Sequence, residues 1–315
     1  MGREGRRRLG CLETSVLGKS VKVFGLLLLA GSQLAMTAPN QDVQKRHWCE
    51  DLQKEVRALK WKLPVCDGIE WSFQEVSVKG RPLMVAEFGK PDSGNTTLVL
   101  AMVHSDEITP LYLGLQLAHW VKKNQETLGD ARVVIAPLVN PDGFFGRPKT
   151  RVNARGVDVN RNFPTSDWSA RALAAWKKRF RSDPRRFPGQ APSSEPETRF
   201  QQTIIERVRP QKILSIHAPL NFMDYDGPGV SALSLARFPK EYIQQCTKLR
   251  RQLKAVSGGF FPGSLGNYAG RELGIPTLTL ELPSADPAKA EVFWKKFQTG
   301  IRTMIEHKVL DLAKR

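Results

Sequence analysis

Residues 96–123 read TTLVLAMVHSDEITPLYLGLQLAHWVKK. The first eight, Thr96 to Val103, are apolar and β-branched, the composition of a strand buried on both faces. The segment from Ile108 to Lys123 reads as a helix. Between the two, His104, Asp106 and Glu107 fall at a strand-to-helix turn. Loop ends at the edge of an α/β sheet are where such sheets bind ligands. Three ionisable groups at the end of a buried strand therefore raise the question of a metal.

The elements on either side have the same alternating character. Polar residues with helical spacing of Val43, Cys49, Leu52, Val56 and Leu59 predict a helix within 39–62. WSFQEVSV and PLMVAEF flank Lys79-Gly80-Arg81 as a hairpin. ARVVIAPLV reads as the next strand, and the region from Asn140 to Pro196 as loop with one helix around 169–180. Ser194 followed three residues later by Glu197 has the chemistry of a capping box, which opens a helix over 193–208. QKILSIH and IPTLTLEL are two further strands, and helices are predicted over 239–256 and 287–314. Strands alternating with helices predict an α/β fold: a mixed, mainly parallel twisted sheet with helices on both faces.

Length and composition bound the rest. A chain of 315 residues with 41% hydrophobic and 25% charged residues is globular, and long enough for one large domain or two small ones. The formal charge is +17. Residues 1–38 hold six basic and two acidic side chains, so most of the excess lies beyond them. Such a surface suits an anionic partner, including an acidic cell-wall polymer. Nucleic acid is not expected, because no zinc-finger, homeodomain or RNA-recognition signature is present. Basic residues followed by VFGLLLLAG form an export signal ending near Ala38, with a retained membrane anchor as the alternative. The expected organisation is 1–38 as signal or anchor, 39–69 as a helical extension, and 70–315 as the catalytic domain. The protein is expected to be exported to the periplasm. In an oxidising compartment Cys49 can pair with Cys66, which leaves Cys246 as a free thiol in its helix. Oligomeric state has no signature in the sequence.

Of five histidines, His104 and His217 stand apart, since each ends an apolar strand. His47, His119 and His307 lie within helical segments and read as surface or core residues. Two strand-end histidines in one sheet can converge, and Glu107 can reach the same point. Two histidines and a glutamate leave one position open on a zinc ion, the arrangement of catalytic sites. A His-x-x-Glu pair by itself is common, and hydrogen-bonded polar residues at loop ends are the plainer reading. The segments between the two strands add NPDGFFG, then RVNARGVDVNRNFP, then SEPET, and a later strand ends in TLELP with Glu281. PGSLG precedes that strand.

With these motifs in order over residues 70–305, the chain resembles the zinc carboxypeptidase, or funnelin, family, and within it the murein peptide amidase branch. The resemblance implies one zinc ion held by His104, Glu107 and His217. It implies Glu281 as general base and acid, and Arg151 as the cation beside the oxyanion. It assigns Asn160 and Arg161 to the substrate's terminal carboxylate, a guanidinium fork matching two carboxylate oxygens. Taken alone, Arg161 reads as a loop salt bridge and Asn160 as a turn residue. Arg155 is a second cation in the same loop. Asp106 and Asp142 read as turn residues or as partners of a ligating imidazole. One departure is visible: many family members carry a mobile tyrosine just before the PGS-type loop, where this chain has Phe260 and Phe261. Tyr225 and Tyr268 are the nearest hydroxyls. The implied substrate is a small peptide or muropeptide, cut at the γ-D-glutamyl–diaminopimelate bond or beside it. The alternatives are a general exported carboxypeptidase and a non-catalytic peptide-binding module. Leu265 or Gly266 falls near the family's specificity position, and neither is acidic.

Overall fold

The structure is a computed structural model and describes residues 38–227 and 261–309. Residues 1–37 of the signal or anchor, the expected helix over 239–256 with Cys246, and residues 310–314 of the expected closing helix lie outside the described residues; that helix ends at Glu306, earlier than expected. Seven strands form one sheet: β1 (Trp71–Val76), β2 (Pro82–Phe88), β3 (Asn95–Ala101), β4 (Ala131–Ala136), β5 (Lys212–His217), β6 (Phe222–Asp226) and β7 (Thr277–Glu281). Their order is β1-β2-β4-β3-β5-β7-β6. The four central strands β4, β3, β5 and β7 are parallel, while β1, β2 and β6 join through antiparallel pairs at the edges.

Strand composition dictates the layering. Along β3, Val99 and Ala101 face one core and Leu98 and Leu100 the other, and β4 repeats this with Val133 and Ile135 against Val134 and Ala136. This period of two buries both faces, as a parallel interior requires. Helices α1 (Ala38–Ala58), α2 (Thr109–Asn124) and α6 (Ala290–Glu306) contribute to the first core. Helix α5 (Pro196–Val208) contributes Phe200, Ile204, Ile205 and Val208 to the second. Those four side chains lie on one helical stripe, and each is worth about 1.5–3 kcal/mol when fully buried. The shorter helices α3 (Pro141–Phe145) and α4 (Trp168–Lys178) lie in the long connection between β4 and α5.

The N-terminal extension belongs to this same core. Trp48, Leu52 and Val56 of α1 are buried, and Trp48 packs against Trp71 with ring centroids 5.3 Å apart. Cys49 and Cys66 are bridged, with Cα atoms 5.9 Å apart. Trp61 donates from Nε1 to the Pro287 carbonyl at 2.9 Å, which ties the extension to the segment before α6.

One local expectation is corrected, and one strand is added. Ser194 and Glu197 form no capping box. The N-cap of α5 is Glu195, and Glu197 is buried, accepting from Asn153 Nδ2 at 2.8 Å and from Val78 N at 3.3 Å. A buried carboxylate surrounded by donors satisfies them in preference to its own helix end. Strand β6 falls in NFMDYDGPG, whose aspartates and short length suggest a loop. It forms because Met223 and Tyr225 are buried while β7 supplies a free edge.

Candidate metal centre and active site

Every residue proposed for catalysis or metal binding sits beyond or at the carboxyl ends of the parallel strands, or in the long connection. The chain leaves β3 through Met102, which takes a left-handed backbone (φ 54°). Such a conformation is costly for a residue with a side chain, and the surrounding structure holds it: Asn140 N bonds the Met102 carbonyl at 3.0 Å. The turn brings His104 and Glu107 over the sheet edge. His217 ends β5, and Glu281 ends β7 as its direct partner in the ladder.

The two imidazoles and the Glu107 carboxylate converge. His104 Nδ1 lies 2.8 Å from Glu107 Oε1, His217 Nδ1 lies 3.0 Å from Glu107 Oε2, and the two Nδ1 atoms are 3.1 Å apart. All three residues are buried, and one ligand atom from each lies within 4.8 Å of the others. The outward nitrogens are engaged. His104 Nε2 faces Asp158 Oδ1 at 3.1 Å, and His217 Nε2 faces Ser215 Oγ at 3.0 Å. With the proton of His104 on Nε2 toward Asp158, its Nδ1 lone pair points inward. Two inward nitrogens and a carboxylate oxygen in a buried site match the donor set of a catalytic zinc centre. Burial alone raises the Glu107 carboxyl, yet His104 and His217 outweigh it and hold the group below its ordinary range. An ionised carboxylate is what a metal requires.

Asp158 organises the neighbouring loop. Its Oδ2 accepts from Arg151 Nε at 3.0 Å and NH2 at 2.9 Å, while Oδ1 also accepts from Asn160 N at 3.0 Å. Against the cost of burial, Arg151 and His104 keep it ionised. Arg151 also donates to Glu107 at 3.2 Å. Asn160 Oδ1 accepts from Leu265 N at 2.8 Å, which leaves its amide nitrogen as the donor for a ligand. Arg161 is buried with its guanidinium carbon 4.4 Å from the centre of the Phe261 ring, and its Nε has no partner among the described residues. Burial, partly offset by Asp158 and reinforced by Arg151, Arg186 and Arg179, lowers its pKa to about 10. A crowded guanidinium with an unused donor is built to take an anion. The PGSLG loop closes this wall. Gly263 has φ 72°, and a Cβ there would fall 2.1 Å from the Arg161 carbonyl oxygen. Only glycine fits that approach.

Glu281 lines the same cavity, of about 550 Å³, with its Oε2 3.4 Å from Leu220 N. Burial raises its carboxyl above the ordinary value, opposed by His217. A raised carboxyl is suited to taking and returning a proton near neutral pH. Asp224 and Asp226 also line the cavity. Gly266 leaves room for the latter, since a Cβ there would lie 2.0 Å from Asp226 Oδ2.

The structure thus gathers His104, Glu107, His217, Glu281, Arg151, Asn160 and Arg161 around one cavity. Arg155 is not among its lining residues and faces Glu195 at 3.6 Å. Asp142 belongs to the hairpin instead, accepting from Ser77 Oγ and Lys79 N. Asp106 pairs with Arg185 at 2.6 Å, not with an imidazole. The imidazole's carboxylate is Asp158, which the sequence reading passed over, although its place two residues before Asn160 in GVDVNRN marks it. Neither tyrosine lines the cavity: Tyr268 stacks on Phe163 at 5.2 Å, and Tyr225 is buried on β6. Acidity absent from Leu265 and Gly266 is supplied by Asp226 of β6, packed against Gly266.

The zinc carboxypeptidase family model matches residues 74–226. Murein peptide amidase A of Escherichia coli strain K12 is 32% identical over 218 residues, covering 67% of this chain and 81% of that protein. The chain belongs to the zinc carboxypeptidase family. Murein peptide amidase A of Vibrio campbellii is 29% identical over 235 residues, covering 73% of this chain and 85% of that one. The crystal structure of a murein-tripeptide amidase from Escherichia coli O157 superposes with a TM-score of 0.51 at 26% identity, over 76% of this chain and 93% of that chain. Carboxypeptidase A from Helicoverpa armigera shares the fold, with a TM-score of 0.60 at 20% identity over 84% of this chain and 74% of its own. This zinc carboxypeptidase-like chain is accordingly a metal-dependent hydrolase, and its His-Glu-His cluster is where zinc fits.

Proposed function

We propose that the chain cleaves cell-wall muropeptides at the γ-D-glutamyl–diaminopimelate bond or a bond beside it. The observation that carries this reading is the two-signed lining of the cavity. Arg161 and the carboxylates of Asp224 and Asp226 all line it. A terminal diaminopimelate presents its own free carboxylate and a side-chain ammonium, so its pocket needs both signs. Similarity to murein peptide amidases over most of the chain supports the same substrate class.

In this reading Asn160 and Arg161 bind the terminal carboxylate, which fixes the substrate's register. Asp226, with Asp224 beside it, takes the side-chain ammonium. His104, Glu107 and His217 hold the zinc ion, which supplies an acidified water and a polarised carbonyl when bound. Glu281 takes a proton from the attacking water on its carboxylate. The water oxygen bonds to the carbonyl carbon, the carbon–nitrogen bond breaks, and Glu281 returns the proton to the leaving amine. Arg151, held by Asp158, presents a fixed cation to the negative charge that develops on the carbonyl oxygen. The products are a free carboxylate and a free amine.

Export to the periplasm is part of the proposal. The basic-then-apolar N-terminus and the Cys49–Cys66 bridge support it, because disulfides persist in oxidising compartments. The basic surface suits association with an anionic wall. N-terminal sequencing of the mature protein separates cleavage near Ala38 from a retained anchor.

The test is a digestion by the zinc-loaded protein, with Glu281→Gln as control and mass spectrometry of products. Release of diaminopimelate from a murein tripeptide by the wild type alone is the expected result. Trimming only of an ordinary peptide with a hydrophobic terminus overturns it in favour of a general carboxypeptidase.

A further inference from the structure

Four arginines line the cavity: Arg151, Arg161, Arg185 and Arg186. The proposed chemistry uses the first two. The other two come from a single 3₁₀ turn, Pro184–Arg186, capped by Asp183, whose carboxylate accepts from Arg185 N at 2.9 Å. These consecutive residues have different partners. Arg186 lies 5.0 Å from the Phe180 ring centre, pairs loosely with Asp183 at 3.6 Å, and adds its charge to that felt by Arg161. Arg185 turns instead to Asp106, with NH1 2.6 Å from Oδ2. Asp106 stands in the turn between His104 and Glu107, so Arg185 is fastened to the metal-binding turn itself.

Arg185 keeps 57% of its side chain exposed at the cavity. A guanidinium has five N–H donors, and the contact with Asp106 occupies one nitrogen. The remaining edge is free to meet a second carboxylate. The substrate's end is set at Asn160 and Arg161, and the scissile carbonyl at the metal ligands. A cation anchored on the metal turn therefore reads the residue that donates that carbonyl. In a γ-linked glutamyl residue the α-carboxylate stays free beside the scissile amide. In an ordinary α-linked peptide that carboxylate has become the amide.

We infer that Arg185, seated on Asp106, is a specificity-determining residue that binds a second substrate carboxylate, on the amino side of the bond that is cut. The inference rests on the muropeptide reading above and explains how γ-linked substrates are told from α-linked ones. Arg186, turned to Asp183 and Phe180 and not to Asp106, is the internal control.

The experiment measures binding without turnover. Zinc-loaded full-length Glu281→Gln protein is titrated calorimetrically with L-alanyl-γ-D-glutamyl-diaminopimelate. A second titration uses its isoglutamine counterpart, in which the α-carboxylate is a carboxamide. The expected result is weaker binding of the carboxamide, on the order of tenfold, as suits a charge-assisted contact at a half-exposed site. Adding Arg185→Gln removes the difference by weakening the carboxylate ligand alone, and adding Arg186→Gln preserves it. Equal affinities in the Glu281→Gln protein, no binding of either tripeptide, or a preference that survives Arg185→Gln overturns the inference. Cleavage is scored separately with Glu281 intact. Binding with the expected preference but no release of diaminopimelate overturns the bond assignment and leaves the subsite standing.

Discussion

Glu281 and the three convergent donors do different work, and single substitutions separate them. Glu281 sits beside the His-Glu-His cluster without belonging to it. Glu281→Gln is expected to lower kcat by about 10²–10⁴, the worth of a positioned acid–base group, with zinc content unchanged by metal analysis. Asp158 acts through His104, whose Nε2 it orients at 3.1 Å. Asp158→Asn keeps a neutral acceptor but loses the charge, and a loss of about 10–100-fold in zinc affinity is expected in chelator competition. Asp226 gives the pH signature. Burial, with Asp224 beside it, pushes its carboxyl up to about 7 against the pull of Arg271. The group is protonated below that pH and ionised above it, while a substrate ammonium stays charged throughout. KM for an amine-bearing substrate should therefore fall as pH rises through 7. Asp226→Asn should flatten that dependence, and steady-state kinetics from pH 6 to 8 checks both.

At the scale of elements, α1 is tied to the loop that leads to Arg151. Glu55 on α1 pairs with Lys149 at 2.9 Å and with Arg147, two and four residues before that arginine. Lys149 also donates to the Phe144 carbonyl at 2.6 Å, so the contact links α1, α3 and the loop. Glu55→Gln is expected to lower kcat a few-fold with little change in KM, because Arg151 is read as meeting charge that develops only in the transition state. Parallel kinetics and thermal melts check this. A fall in melting temperature with kinetics unchanged would confine Glu55 to a structural role. None of the described residues lining the cavity comes from α1, so its tie to the site runs through Glu55 and the loop before Arg151. Periodicity made most elements legible, including the hairpin, β3, α2, β5 and β7. It failed for β6, where two aspartates suit a loop and the exposed edge of β7 made a strand. It failed too for the start of α5, where burial redirected Glu197 to Asn153 and Val78.

For the whole molecule, the metal should be a source of stability as well as chemistry. Two imidazoles and a carboxylate held together in a buried site favour the ion over protons at the same point. Stripping with a chelator should abolish hydrolysis and lower the melting temperature, and added zinc should restore both. Saturation at a hundredfold over Kd corresponds to about 2.7 kcal/mol of stabilisation. Among the described residues no helix is long and apolar enough to cross a membrane. The sequence by itself determined the alternating strands and helices, because side-chain period and β-branching are local properties. It also marks the residues read as carrying the chemistry, since His104, Glu107, His217, Glu281 and the NARGVDVNRNFP loop are written in order along the chain. Their partners were set by the closed fold. It gave Asp158 to His104, Asp106 to Arg185 and Asp142 to the hairpin, and it brought Asp226 across to the space above Gly266. Those assignments join residues tens of positions apart, and they follow from which buried charges can be satisfied together once the sheet has closed.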